Sequence, residues 1–247
     1  MLLYGFHSIL ARLRHAPDSI RELYVDGERG DARMRELLRS AENAGVAVHF
    51  VDSRRLERLC PRKRHQGAVA FADDALPQIR LDELLGQPRD DGRPLLLLVL
   101  DGVTDPRNLG ACLRVADGAG AAAVIAAKDH ACGLTDIAIQ TASGAAESVP
   151  YLMVTNLARA LDEIRDHDIR IIGSDERAGD ELYAHDLSGP IAWVLGAEGR
   201  GMRRLTRERC DVLARVPMLG QVASLNVSVT AGIVLYETIR QRGRAAA

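Results

Sequence analysis

The run LLLLVL at residues 95–100 has no polar side chain in six consecutive positions. A strand with one wet face alternates. A continuous apolar run belongs to a strand covered on both faces, as in parallel sheets flanked by helices. Five more runs of strand length follow it: AAVIAA (122–127), VPYLMV (149–154), IRIIGSD (169–175), IAWVLG (191–196) and DVLARVPM (211–218). Helical patterning separates them at 109–119, 137–143, 156–166 and, briefly, 202–208. Strands alternating with helices predict an α/β domain over residues 94–247 with an open, mostly parallel sheet.

The chain before this domain reads differently. Residues 8–15 and 32–44 have helical spacing, while ELYVD (22–26), VAVHFV (46–51) and GAVAFA (67–72) read as short strands. These predict a small α/β unit over residues 1–73. The stretch 72–94 is polar and holds three prolines, so residues 74–93 read as a linker with one helical turn at LDELL.

Charge separates the two parts. The net charge of -2 excludes a uniformly basic nucleic-acid binder. Residues 1–72, however, carry 13 Arg/Lys against 9 Asp/Glu, and the rest carries 19 against 25. The densest basic run is RRLERLCPRKR at 54–64. It is either a solvated face or a contact for phosphates, with Arg62, Lys63, Arg64 and His65 at its end.

The four cysteines are scattered, without a C-x-x-C pair, and the seven histidines show no ligand spacing, so neither a disulfide framework nor a metal site is expected. No secretory leader is read in the first residues, and LLLLVL is too short to cross a bilayer. The expected setting is soluble, reducing and cytoplasmic.

Ligands of open α/β sheets bind beyond the carboxyl ends of the strands. Three polar segments stand there. DGVTDPRNLGACLR (101–114) follows the first strand; Asn108 can cap a helix beginning at Leu109, and Arg114 lies within its first turns. LGAEGRGMRR (195–204) places Glu198 among Gly196, Gly199 and Gly201, which permit positive φ and close backbone approach. PMLGQVASLNVSVTAGIVLYE (217–237) opens an almost wholly apolar helix with Gly220, Gln221, Ser224, Asn226 and Ser228. Such a helix belongs in a core or an interface. Ser224 or Asn226 serves as its cap, but a cap uses one polar residue and several gather here.

Other chemistries find less support. GAGAAA (118–123) has the glycine spacing of a dinucleotide site but follows a helix, the reverse of that fingerprint. No G-x-S-x-G elbow makes Ser224 a hydrolase nucleophile, and no Walker-type phosphate loop occurs.

The three segments, in this order, resemble the motifs of the SpoU/TrmH family of RNA ribose 2′-O-methyltransferases, a branch of the SPOUT or α/β-knot class. PRNLGACLR matches the first motif, LGAEGRGM the second and VPMLGQVASLNVSVTAGIVLYE the third, over about residues 95–240. GFHSIL (5–10) and RHQGAVA (64–70) extend the resemblance to the family's small RNA-binding domain, which is similar in shape to a ribosomal protein. Length and arrangement are closest to the branch that modifies a guanosine of bacterial large-subunit ribosomal RNA. A transfer-RNA methyltransferase of the same family, or a non-catalytic RNA-binding ribosome-assembly factor, is the alternative.

The resemblance implies S-adenosylmethionine as methyl donor, held by groups near Leu195, Gly196, Val216, Met218, Gly220 and Leu225. It implies a trefoil knot through the second and third motifs, and a homodimer with the site near its interface. Asn108, Arg114, Glu198, Ser224 and Asn226 would form the catalytic set, without a metal. A free arginine has a pKa above about 12, so Arg114 is expected to hold phosphate or a developing alkoxide while the other groups orient it.

Overall fold

The computed structural model describes residues 1–61, 65–73, 79–87 and 91–245, and the chain divides into two compact units. The first is Met1–Gln78 together with Ser143–Ser148. Its strands β1 (Leu2–Tyr4), β2 (Ile20–Asp26), β3 (Val48–Val51) and β4 (Ala68–Ala72) form one sheet in the order β1-β4-β2-β3. β4 runs antiparallel to both neighbours, and β2 and β3 are parallel. Helices α1 (Phe6–His15) and α2 (Ala32–Asn43) supply Phe6, Ile9, Met34 and Leu37 to a core with Leu3, Leu23 and Val25. Asp31 caps α2 through the amides of Arg33 and Met34.

The run RRLERL, noticed in the sequence only for its charge, is also a helix. α3 (Ser53–Leu59) starts where Asp52 accepts the Arg55 amide at 2.7 Å, and it buries Leu56 with Cys60 and Val69. A buried ion pair completes this unit. Arg12 on α1 donates from Nε to Glu147 at 2.5 Å, in the short helix Ala145–Ser148, which is α7 in chain order. The guanidinium also reaches Ser19 Oγ at 3.1 Å. A charge this deep is tolerable only because it is paired and hydrogen-bonded.

The second unit is Ile79–Ala142 with Val149–Ala247. In chain order it holds α4 (Leu81–Gly86), β5 (Leu96–Asp101), α5 (Pro106–Gly118), β6 (Ala123–Ala127) and α6 (Asp136–Ala142). Then come β7 (Tyr151–Val154), α8 (Leu157–Arg165), β8 (Arg170–Ser174), β9 (Asp180–Glu181) and β10 (Ile191–Gly196). α9 (Arg204–Glu208), β11 (Val212–Arg215) and α10 (Val227–Ala245) complete it. The sheet order is β7-β6-β5-β10-β8-β11-β9, and the pairings are parallel throughout. The expected mostly parallel α/β architecture is present, with the two-residue β9 as an edge the apolar pattern did not announce.

Leu96 to Leu100 of β5 are buried, as their unbroken apolar run requires, and Asp101, which ends the strand, is buried too. Leu97, Val99, Ile125, Ile171 and Val194 form one core with Leu157, Leu161 and Ile164 of α8. On α10, Val227, Ala231, Val234 and Leu235 are buried, and Thr238 accepts the buried Trp193 Nε1–H at 3.0 Å. α10 is not buried all round in the single chain. Val229 is 50% exposed and Tyr236 53%, so an apolar stripe faces outward.

Candidate active site

The register of β10 against β5 sets Gly196 beside Asp101. The first two polar segments therefore leave the sheet side by side. β8 ends at Ser174, paired with Leu195 on one side and Ala214 on the other, which brings the end of β11 into the same row.

The first segment starts its helix earlier than expected. α5 begins at Pro106, and Asp105 is the cap, accepting the Arg107 amide at 2.7 Å. Proline at this position loses nothing, because its missing N–H would have no intrahelical partner there. Asn108 is thus inside the first turn rather than at the cap, and its side chain is available for a tertiary contact.

The second segment folds back tightly. The Gly201 amide donates to Ala197 O at 2.9 Å, with Gly199 at φ 74° and Gly201 at φ 66°. Those values suit glycine and strain other residues. Gly196 is needed for a different reason: a Cβ there would lie 2.1 Å from the Gly201 carbonyl carbon. The turn carries Glu198.

Glu198 joins all three segments through one oxygen. Its Oε1 accepts Asn108 Nδ2–H at 3.0 Å, Asn226 Nδ2–H at 2.5 Å and the Val227 amide at 3.4 Å. Asn226 Nδ2 also donates to Asn108 Oδ1 at 3.0 Å. On its other side Asn226 Oδ1 accepts the Ser228 amide at 2.9 Å and the Ser228 hydroxyl at 2.6 Å. Asn226 is therefore both the cap of α10 and a member of the polar cluster. The two readings left open by the sequence hold together.

A second tie reinforces the first. Asp101, 1% exposed, accepts Arg203 Nε–H at 2.6 Å and the Arg203 amide at 2.8 Å. It binds the end of β5 to the chain just past the Glu198 turn. Beneath the cluster, Cys112 on α5 is a buried thiol whose pKa is pushed up to about 12, by burial first and by the Glu198 charge second.

Beside Glu198 lies a cavity walled by Leu195, Gly196, Val216, Met218, Ser224 and Leu225. Gly220 and Arg114 do not line it; Arg114 is exposed on α5, about 120° round the helix from Asn108. The far wall holds Asp175, Glu176, Arg177 and Arg207, which the sequence reading passed over. Arg207 pairs with Asp175 at 3.2 Å. The place of Asp175, Glu176 and Arg177 just beyond the carboxyl end of β8 was the available signal; Arg207, on α9, gave none.

In the first unit, Arg62, Lys63 and Arg64 lie outside the described residues. His65 accepts the Gly67 amide at Nδ1, 3.1 Å, in the turn before β4. Among the described residues no group of acidic, histidine and cysteine side chains has the arrangement of a metal site, and no helix is long and apolar enough to cross a membrane.

Comparisons with known proteins bear on this geometry. The SpoU rRNA Methylase family matches residues 95–236, and the family of RNA 2′-O ribose methyltransferase substrate-binding domains matches residues 2–78. A 23S rRNA (guanosine-2′-O-)-methyltransferase RlmB of Bordetella pertussis is 53% identical over 98% of this chain and 97% of its own. The RlmB of Neisseria meningitidis is 51% identical over 97% and 95%. The SpoU methyltransferase AviRb from Streptomyces viridochromogenes, in complex with the cofactor AdoMet, superposes with a TM-score of 0.78 at 25% identity, covering 99% of this chain and 91% of that one. With the match spanning the segments that carry Asn108, Glu198 and Asn226, this chain belongs to the SpoU rRNA methylase family.

Proposed function

We propose that this protein transfers a methyl group from S-adenosylmethionine to a ribose 2′-hydroxyl of RNA, and that the target is a guanosine of bacterial large-subunit ribosomal RNA. The observation that carries this reading is the junction of Asn108, Glu198 and Asn226 at the rim of the cavity between the second and third segments. Relatives named for this reaction share half of the sequence over nearly the full chain.

The cavity suits the donor. Leu195, Val216, Met218 and Leu225 offer an apolar slot for a purine, and backbone groups freed by the glycine turn offer polar edges. Asp175, Arg177 and Arg207 give charges of both signs for a ribose and an amino-acid tail. When bound there, S-adenosylmethionine supplies an electrophilic methyl on a sulfonium.

The protein's own part is to position and to stabilise. In that transfer the ribose oxygen would take the methyl, S-adenosylhomocysteine would leave with the electrons of the carbon–sulfur bond, and the hydroxyl proton would pass to an RNA phosphate or to water. Asn108 and Asn226, fixed by Glu198, orient the groups at the rim, and Ser224 lies on the same wall. Arg114 holds RNA phosphate or the developing alkoxide through its guanidinium. Holding reactants in attack geometry removes several kcal/mol, on the order of 7–11, from such a barrier.

The finer architecture belongs to the same proposal. The chain through the second and third segments is threaded as a trefoil knot, a rarity among folds, a reading that the family match over residues 95–236 supports. Two copies pair through the outward stripe of Val229 and Tyr236 on α10. Residues 1–73 bind RNA, with the basic run Arg62 to His65 on the phosphates; the 74–93 linker joins them to the transferase, its α4 packed into the core of the second unit; and the protein works in the cytoplasm, where ribosomal RNA is.

The test is direct. Full-length protein is incubated with methyl-labelled S-adenosylmethionine and unmodified 23S rRNA, and the RNA is digested to nucleosides. Label in 2′-O-methylguanosine is expected. Label on a base, transfer to transfer RNA alone, or RNA binding with no donor binding by calorimetry would overturn the assignment.

A further inference from the structure

The first unit carries an open aromatic surface that the methyl-transfer site does not use. Register sets Tyr24 on β2 directly opposite His49 on β3, so the two side chains leave the same face of the sheet. Their rings are stacked, with centroids 5.0 Å apart and planes 28° apart. Phe71 on β4 meets Tyr24 edge-on, at 6.1 Å and 86°. The Arg55 guanidinium lies over the Tyr24 ring, 5.9 Å from its centroid.

Among the described residues the cluster is covered on one side. Helix α3 packs on this sheet face through Leu56, near Tyr4 and Val69, and Tyr24 is half-buried against it. β3 is the edge strand, and beyond Tyr24 the imidazole of His49 is exposed. Tyr24 is held in place by its hydroxyl, which donates to Glu22 at 3.1 Å. Arg55 is the cation at the rings and Glu22 the acid; α3 also presents Arg54 and Arg58, exposed, against Glu57.

We propose that His49, Tyr24 and Arg55 form a stacking platform for an unpaired base of the RNA substrate. The proposal rests on the RNA reading given above and adds where and how the strand is read. The exposed ring of His49, backed by Tyr24 and with Arg55 beside it, has the parts that single-stranded RNA uses: bases stack on rings and phosphates meet cations. The base of a double helix is not available to it. The platform therefore selects a loop or an opened strand. It differs from the role proposed for the basic run Arg62 to His65, since phosphate contacts position without reading bases.

The test pairs protein variants with RNA lacking a base. Binding of full-length protein to a fluorescent RNA segment containing the target is measured for wild type, His49→Ala and Tyr24→Leu. Each RNA is made with every base present and with single abasic positions across its unpaired stretch. His49 is exposed, so His49→Ala tests the idea even if Tyr24→Leu fails to fold. His49→Ala is expected to weaken binding roughly fivefold or more. One abasic position should weaken wild type as much and should then make His49→Ala indifferent. KM should rise with kcat little changed. Unchanged affinity in His49→Ala overturns the platform, as does a loss that persists at every abasic position. Normal binding to naked RNA with failure only on ribosomal precursor particles assigns the surface to a protein partner and also overturns it. Wild type that binds no RNA at all removes the RNA reading itself.

Discussion

Asn226 donates from Nδ2 to Glu198 Oε1 at 2.5 Å, across 28 residues of chain, while its Oδ1 receives the first free amide of α10 from Ser228 at 2.9 Å. One side chain thus does two jobs that different substitutions separate. Asn226→Ala removes both, costing about 1 kcal/mol through the lost cap and at least tenfold in kcat. Asn226→Ser keeps an oxygen suited to capping and loses the amide donors. It should melt within a few degrees of wild type and remain as impaired as the alanine variant. Thermal melts beside single-turnover methyl transfer check this. Recovery of turnover in Asn226→Ser would reduce Asn226 to a helix cap.

Gly196 has no room for a side chain, because a Cβ would stand 2.1 Å from the Gly201 carbonyl carbon. Contacts that close force the backbone to move. Gly196→Ala should push the Glu198 turn off the cavity and weaken S-adenosylmethionine binding by tenfold or more in calorimetry. Undiminished affinity would mean that the turn does not shape the donor site.

The Asp101–Arg203 pair has one buried member and one half-exposed member. Arg203→Ala leaves the carboxylate with only the Arg203 backbone amide of its two partners. A loss of about 2 kcal/mol in denaturant unfolding is expected, less than for a fully buried pair. Asp101→Asn keeps one accepting oxygen but sets an N–H donor against an Arg203 N–H in place of the other, and should cost at least as much. A clearly smaller loss for Asp101→Asn than for Arg203→Ala would contradict this account of the pair.

Cys112 makes the stability sensitive to alkali. Burial raises its folded pKa to about 12, from 9.0. Below pH 9.0 the thiol is protonated in both folded and unfolded chains, and its contribution is fully present. Above that, the unfolded chain ionises first, and stability falls by about 1.4 kcal/mol per pH unit until the folded thiol also ionises. Unfolding free energies measured between pH 8 and 11 should fall less steeply in Cys112→Ala than in wild type. Equal slopes would place the titration elsewhere.

How far the sequence spoke depended on the range of the interaction. β5 and β10 were legible because burial on both faces leaves an unbroken apolar run, and the observed strands agree with LLLLVL and IAWVLG to within one residue. β1 was missed because three residues carry no period. α3 was missed because its arginines hid the single buried Leu56. Asn108 was expected at a cap that Asp105 occupies; both residue types cap well, and only the position of Pro106 decides between them. Asp175 was read as the tail of a strand, and its pairing with Arg207 was invisible from local pattern. Nothing periodic connects Arg12 to Glu147, 135 residues away, or makes Ser143–Ser148 part of the first unit. The three polar segments were recognisable one by one, but the single oxygen of Glu198 that joins them was not.

The central claim is that this chain places one 2′-O-methyl group on a guanosine of large-subunit ribosomal RNA, with Arg114 at the reacting ribose. The most direct measurement maps ribose methylation across the ribosomal RNA of cells lacking the protein, complemented with wild type or with Arg114→Ala. The account predicts one guanosine position that loses its methyl on deletion, regains it with wild type and stays unmethylated with a stably folded Arg114→Ala. An unchanged methylation map on deletion, or full restoration by Arg114→Ala, would contradict it.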